Sequence, residues 1–270
     1  MAEHSTTKIA ELTVDIYQPS SGPSKGSLMF CHGAWVGGWI WDEFPGWFAD
    51  RGYTAYVPTW RGRYDSKPVS DLGAVSMYDF VEDALAVARS VTPDVVIGES
   101  LGGLIAQKTV ESYKAKALVL LNSAPAFMVP ANPTVTLKQL KYLGDLLFKK
   151  PNLPNEHDYK QMILNNVGEP EASEIYKKLC PESGRALMEV SLGKIKVDVA
   201  KVNCPVYVIA GHKDVLLPIK VHRKTAKLLG AEIVEYPTMS HHTFSEEGWE
   251  KVAQELEDWL AEKLGAAAST

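Results

Sequence analysis

Apolar and polar positions change period along the chain, from about two to about 3.6 and back again. Residues 12–17 alternate like a half-buried strand, and 27–32 form a short, mostly apolar run that stops at Gly33. Residues 43–51 read as a helix ended by Gly52, and 53–57 as a second strand closed by Pro58. Across 76–91, Met77, Phe80, Val81, Ala84, Leu85 and Ala88 recur at helical spacing. A β-branched run at 94–98, a helical stretch at 104–113 and a continuous apolar run at 117–121 follow. Strand–helix–strand alternation of this kind predicts an α/β fold, with a mostly parallel central sheet and helices on both faces.

The alternation then breaks. Pro125, Pro130, Pro133, Pro151 and Pro154 punctuate a stretch whose helix-like pieces are 136–148 and 159–166. It resumes with a strand at 205–210, a helix at 218–229, a strand at 232–236 and a final amphipathic helix at 246–264. That helix carries Trp249, Val252, Leu256, Trp259 and Leu260 on one stripe. The simplest division is an α/β core of residues 1–125 and 199–270, with a helical insertion at 126–198. The insertion leaves the core just after a strand, where an α/β sheet presents its ligand crevice. It is therefore expected to act as a lid, with Phe127, Met128 and Val129 facing a pocket.

Composition narrows the function classes. Lys and Arg number 28 against 33 Asp and Glu, a net charge of −5 that argues against a nucleic-acid partner. No apolar run approaches the ~18 residues of a membrane span. The first eight residues, MAEHSTTK, lack the order of a secretory signal, so the chain reads as cytoplasmic. Cys31, Cys180 and Cys204 form no CxxC pair and are expected as small buried hydrophobes.

G-x-S-x-G occurs twice, at Gly22-Pro23-Ser24-Lys25-Gly26 and at Gly98-Glu99-Ser100-Leu101-Gly102. The first lies in a polar stretch and precedes a strand, so it reads as a connecting turn. The second follows DVVI and leads into a helix, the strand–turn–helix context that lifts a serine clear of a sheet. A serine hydroxyl is a poor nucleophile at neutral pH and needs a base, oriented in turn by an acid. Asp214 stands just past the strand at 205–210, and His241 and His242 follow the strand at 232–236. His241 is the favoured base and His242 the runner-up. A transition-state oxyanion needs two N–H donors. Leu101 supplies one at the helix start, and Ala34, after Cys31-His32-Gly33, supplies the second, with Trp35 as runner-up. His32 reads as a structural residue holding that loop. No third ligand stands near the histidines in a metal-binding pattern, so neither metal nor cofactor is expected.

These segments together resemble the α/β-hydrolase-fold serine hydrolases over about residues 10–264. The resemblance rests on His32-Gly33-Ala34-Trp35, Trp60-Arg61-Gly62-Arg63 with Asp65-Ser66, the elbow at 98–103, Gly211-His212-Lys213-Asp214, and Ser240-His241 followed by Glu246. It implies a triad of Ser100, Asp214 and His241 and oxyanion donors at Ala34 and Leu101, and the histidine loop decides for His241. Two departures stand out. Glu99 precedes the nucleophile where relatives often have His, Trp or Asn; it either sits in hydrogen bonds behind the elbow or perturbs His241 and repels anions. Arg63 stands where relatives often have His-Gly.

The reaction implied is hydrolysis of a small to medium apolar carboxylic ester through an acyl-enzyme. Trp35, Phe127 and Met128 are the expected apolar pocket residues, and a small-molecule ester the expected partner. The same triad also serves C–C bond hydrolases, hydroxynitrile lyases, lactonases, perhydrolases and ligand receptors, and fold and triad do not choose among them.

Overall fold

Ten strands and nine helices follow in chain order among the described residues, which in this computed structural model are 2–128 and 142–267. The strands are β1 (Glu3–Ile9), β2 (Leu12–Gln18), β3 (Gly26–Cys31), β4 (Tyr53–Pro58), β5 (Val95–Glu99), β6 (Ala117–Leu121), β7 (Pro151–Asn152), β8 (Glu182–Ser183), β9 (Val206–Gly211) and β10 (Glu232–Tyr236). The helices are α1 (Phe44–Ala49), α2 (Met77–Val91), α3 (Ser100–Val110), α4 (Leu143–Leu147), α5 (Glu156–Met162), α6 (Glu171–Lys177), α7 (Gly184–Ser191), α8 (Ile219–Leu229) and α9 (Trp249–Ala267). Val129 and the first part of the helix predicted at 136–148 lie outside the described residues.

Eight strands form one sheet in the order β1-β2-β4-β3-β5-β6-β9-β10. β2 runs antiparallel to both β1 and β4, and every other pairing is parallel. Successive strand residues point to opposite faces, which explains why the central strands are apolar throughout. Met29, Cys31, Val96, Leu118 and Leu120 face the cluster built with α2 and α3. Leu28, Phe30, Val95, Ile97 and Val119 face the other cluster, which includes Phe44 and Phe48 of α1 and Val252, Leu256 and Leu260 of α9. Helix α2 begins where the pattern predicts, because Ser76 and Asp79 form a reciprocal capping box.

Several predicted bounds shift: the helix expected at 159–166 is Glu156–Met162, and that expected at 246–264 is Trp249–Ala267. The helix expected at 104–113 starts four residues earlier, at Ser100, so the helix begins at the elbow itself. β1 was not anticipated. Its EHSTTKI sequence is almost entirely exposed, and its hairpin turns through Ala10 and Glu11, both with positive φ, without an Asn-Gly or Asp-Gly signal.

Residues 142–198 pack across the carboxyl ends of the central strands. Tyr159, Met162, Ile163, Leu164 and Ala172 form a small cluster closed by Trp35 and Leu216 of the core. Polar bonds fasten it: Trp35 Nε1 donates to Asn152 O at 3.1 Å, Cys180 N to Trp35 O at 2.9 Å, and Asn165 Nδ2 to Lys213 O at 3.0 Å. Arg63, after β4, and Glu182 of β8, both fully buried, form an ion pair. Among the described residues, no helix is long and apolar enough to cross a membrane.

Candidate active site

The elbow is made by sterics. Ser100 opens α3 directly after β5 with φ +50°, a left-handed conformation that costs a non-glycine residue energy and persists only where its surroundings impose it. The surroundings are glycines. A Cβ on Gly98 would overlap the Gly102 carbonyl, and one on Gly102 would overlap the carbonyls of Cys31 and His32. Helix and strand therefore approach within a distance that a side chain would prevent. The turn places Ser100 at the first position of α3 and Leu101 at the second, where backbone N–H groups have no partner within the helix.

The loop after β3, residues 32–35, lies against this elbow. A Cβ on Gly33 would come 3.0 Å from Ser100 Cβ and 2.5 Å from Glu99 Oε2. His32 holds the loop from behind: its Nδ1 pairs with Gly33 O at 2.9 Å, and its Nε2 accepts from Trp60 N at 3.2 Å. Burial and the Arg63 charge keep its pKa well below the usual imidazole range, so it stays neutral. Ala34 follows, half-buried, and then Trp35, which takes a left-handed φ of +65°.

Asp214 and His241 meet across the ends of β9 and β10. His241 Nδ1 lies 2.7 Å from Asp214 Oδ2, while Asp214 Oδ1 accepts the N–H groups of Leu216 and Leu217 at 2.9 and 2.8 Å. Burial opposes ionisation of Asp214, but the charge and hydrogen bond of His241, with His222 close by, hold its pKa well below the carboxylate range. Asn122, at the end of β6, accepts from Gly211 N at 3.0 Å and donates to Ser240 O, tying acid loop to histidine loop. Glu246 accepts from Ser240 N at 2.8 Å and His242 N at 3.1 Å, fixing the histidine loop from the other side. His242 turns away and packs on Phe244; burial lowers its pKa to about 3.

Glu99 combines two placements that the sequence set against each other, behind the elbow and beside His241. It is 2% exposed behind the elbow, and its Oε1 lies 3.2 Å from His241 Nε2. Ser100 Oγ, by contrast, makes no hydrogen bond with another described residue, and Ser100 is 9% exposed. Burial works against a charged His241, but the charge and hydrogen bond of Asp214, with the Glu99 bond added, raise its pKa to about 10.

The other expected residues are spread more widely. Trp35 meets Tyr159 of the insertion edge-on, with ring centroids 6.1 Å apart. Phe127 lies under Lys224 Nζ at 3.9 Å and lines a cavity of about 160 Å³ with Gln107 and Thr225. Met128 is 62% exposed, with its backbone against Gly193. Sequence reasoning passed over Asn122 and His222. Asn122 ends a strand beside the site, a position that could have drawn notice; buried His222, 3.8 Å from Asp214 Oδ2, looks in the sequence like any helix residue.

The model of the "Alpha/beta hydrolase family" matches residues 28–255. The chain belongs to that family. Among characterised relatives, the hydrolase is 29% identical over 179 residues to a pimeloyl-[acyl-carrier protein] methyl ester esterase of Chromobacterium violaceum, covering 62% of this chain and 69% of that one. Its fold matches a monoacylglycerol lipase of Paleococcus ferrophilus with a TM-score of 0.72 and 19% identity, over 94% of this chain and 99% of that one. It also matches an esterase of Exiguobacterium antarcticum with a TM-score of 0.74 and 14% identity, over 96% and 99%.

Proposed function

We propose that the hydrolase cleaves small to medium apolar carboxylic esters through an acyl-enzyme on Ser100. One observation carries the reading: a serine in a left-handed elbow at a helix N-terminus, on the same sheet edge as a buried His241–Asp214 pair at 2.7 Å. The Chromobacterium relative, a methyl ester esterase, supports the bond type. The apolar cluster of Tyr159, Met162 and Leu164 against Trp35 supports an apolar acyl group.

In this mechanism His241 Nε2 takes the Ser100 proton as Oγ attacks the ester carbonyl. The N–H groups of Ala34 and Leu101 receive the negative charge that develops on the carbonyl oxygen. Asp214 holds the imidazole in the required tautomer and stabilises the imidazolium, which then protonates the departing alkoxide. Water, deprotonated by the same histidine, releases the acid. The insertion at 126–198 is the lid of this site, excluding water from the reacting centre. Trp35 is its contact with the oxyanion loop; Phe127 and Met128 belong to the lid's entry segment.

Initial rates on p-nitrophenyl esters of increasing acyl length, wild type beside Ser100→Ala, test this. The expected result is a measurable rate that Ser100→Ala abolishes with the fold intact. A folded, fully active Ser100→Ala protein overturns it.

A further inference from the structure

The imidazole of His241 is bracketed by carboxylates on both ring nitrogens, Asp214 Oδ2 at 2.7 Å on Nδ1 and Glu99 Oε1 at 3.2 Å on Nε2. Ionised carboxylates only accept hydrogen bonds, and a neutral imidazole carries one N–H. With Asp214 taking the Nδ1 proton, the Nε2···Oε1 contact closes only if one further proton lies on that line, on the imidazole or on the carboxyl. Either way, Nε2 has no lone pair free for Ser100.

We propose that Glu99 is a positioning residue that keeps this extra proton between itself and His241, so that the resting hydrolase is latched and the base is released only when that proton leaves. The inference rests on the reading of His241 as the base of Ser100.

The neighbourhood favours the latch. Glu99 and His241 are 2% and 1% exposed, so water does not compete for the contact. The Glu99 carboxyl also abuts the Gly33 backbone, which fixes its far oxygen in place. The ionisable groups around the pair are Asp214, His222 behind Asp214, His242 beside His241, and Tyr159 from the insertion. None is a cation placed to free Glu99 from His241: His242 is held neutral, and His222 faces Asp214. Burial pushes the Glu99 carboxyl up, and Asp214 with Glu99 pushes the imidazole up, so the pair keeps its proton well into the alkaline range.

The test reads the histidine and the serine separately, in wild type and Glu99→Gln. The first readout is titration of the His241 ring by ¹⁵N NMR. The second is the pH dependence of Ser100 phosphonylation by a neutral fluorophosphonate. The amide keeps the shape of Glu99 and cannot hold the proton. The expected result is a wild-type midpoint well above the ordinary 6.5 of histidine, falling by at least about one unit in Glu99→Gln. Labelling below the wild-type midpoint should then be at least about tenfold faster in the variant. Equal midpoints in both proteins overturn the inference. If Glu99→Gln does not fold, a wild-type His241 titrating near 6.5 overturns it without any variant. A shifted His241 midpoint with no labelling of Ser100 at any pH leaves the latch standing and refutes the nucleophile assignment instead.

Discussion

Asp214→Asn is the sharpest test of the proposed chemistry, because it changes a proton and almost nothing else. The side chain is 3% exposed, and its two oxygens accept three hydrogen bonds, from His241 Nδ1, Leu216 N and Leu217 N. An amide of the same shape has one acceptor oxygen and one donor nitrogen. Two backbone N–H groups converge on Oδ1, so the amide oxygen stays with them and the NH₂ turns to His241. Once the extra proton between His241 and Glu99 has left, Nδ1 must accept, and the one remaining imidazole proton moves to Nε2. That tautomer cannot take the Ser100 proton. Loss of tautomer control costs about 10³- to 10⁴-fold in kcat, or roughly 4–5.5 kcal/mol of barrier. KM should change little, since substrate does not contact Asp214 in this scheme. Stability at neutral pH should fall by about 3–5 kcal/mol, because the buried charged His241 loses its partner. Steady-state kinetics on the best p-nitrophenyl ester, beside a thermal melt, measure both. A folded variant with less than a tenfold loss of kcat would refute the tautomer argument.

Three further outcomes follow from the same geometry. Arg63→Met strands the fully buried Glu182 carboxylate and should cost about 3–5 kcal/mol in urea unfolding, most of it recovered in Arg63→Met/Glu182→Leu; equal costs for single and double variants would contradict a buried pair. Glu246→Gln removes one of the two acceptors holding the histidine loop and should cost about 1–3 kcal/mol, with a fall in kcat of about tenfold, checked by melting and kinetics on one preparation. His241, whose folded pKa of about 10 lies above the unfolded 6.5, adds stability that is complete below pH 6.5 and disappears as pH rises through 10, so the melting temperature should drop across pH 7–10 and the drop should shrink in Glu99→Gln.

The local pattern of the chain determined much of this protein. Helix α2 was legible because its apolar residues recur at helical spacing over 76–91. The central strands were legible because burial on two faces demands unbroken apolar runs such as ALVLL. The elbow was legible because its glycines record a close approach that any side chain would block. These are requirements of each segment's immediate surroundings, so they leave a mark at fixed offsets in sequence.

What the tertiary structure decided are matters of distance between residues far apart in the chain. The 2.7 Å approach of His241, which the sequence already favoured, to Asp214 depends on how Asn122 and Glu246 hold its loop. The role of Glu99 depends on a 3.2 Å approach to His241 across 142 residues, from 99 to 241. The exposed strand β1 has no core to write it into the sequence and exists because β2 offers an unpaired edge. Arg63, a departure from the family's pattern when read along the chain, finds its meaning in Glu182 on the insertion. Periodicity and turn chemistry are short-range and readable; partners brought together by folding are long-range, and no offset in the sequence encodes them.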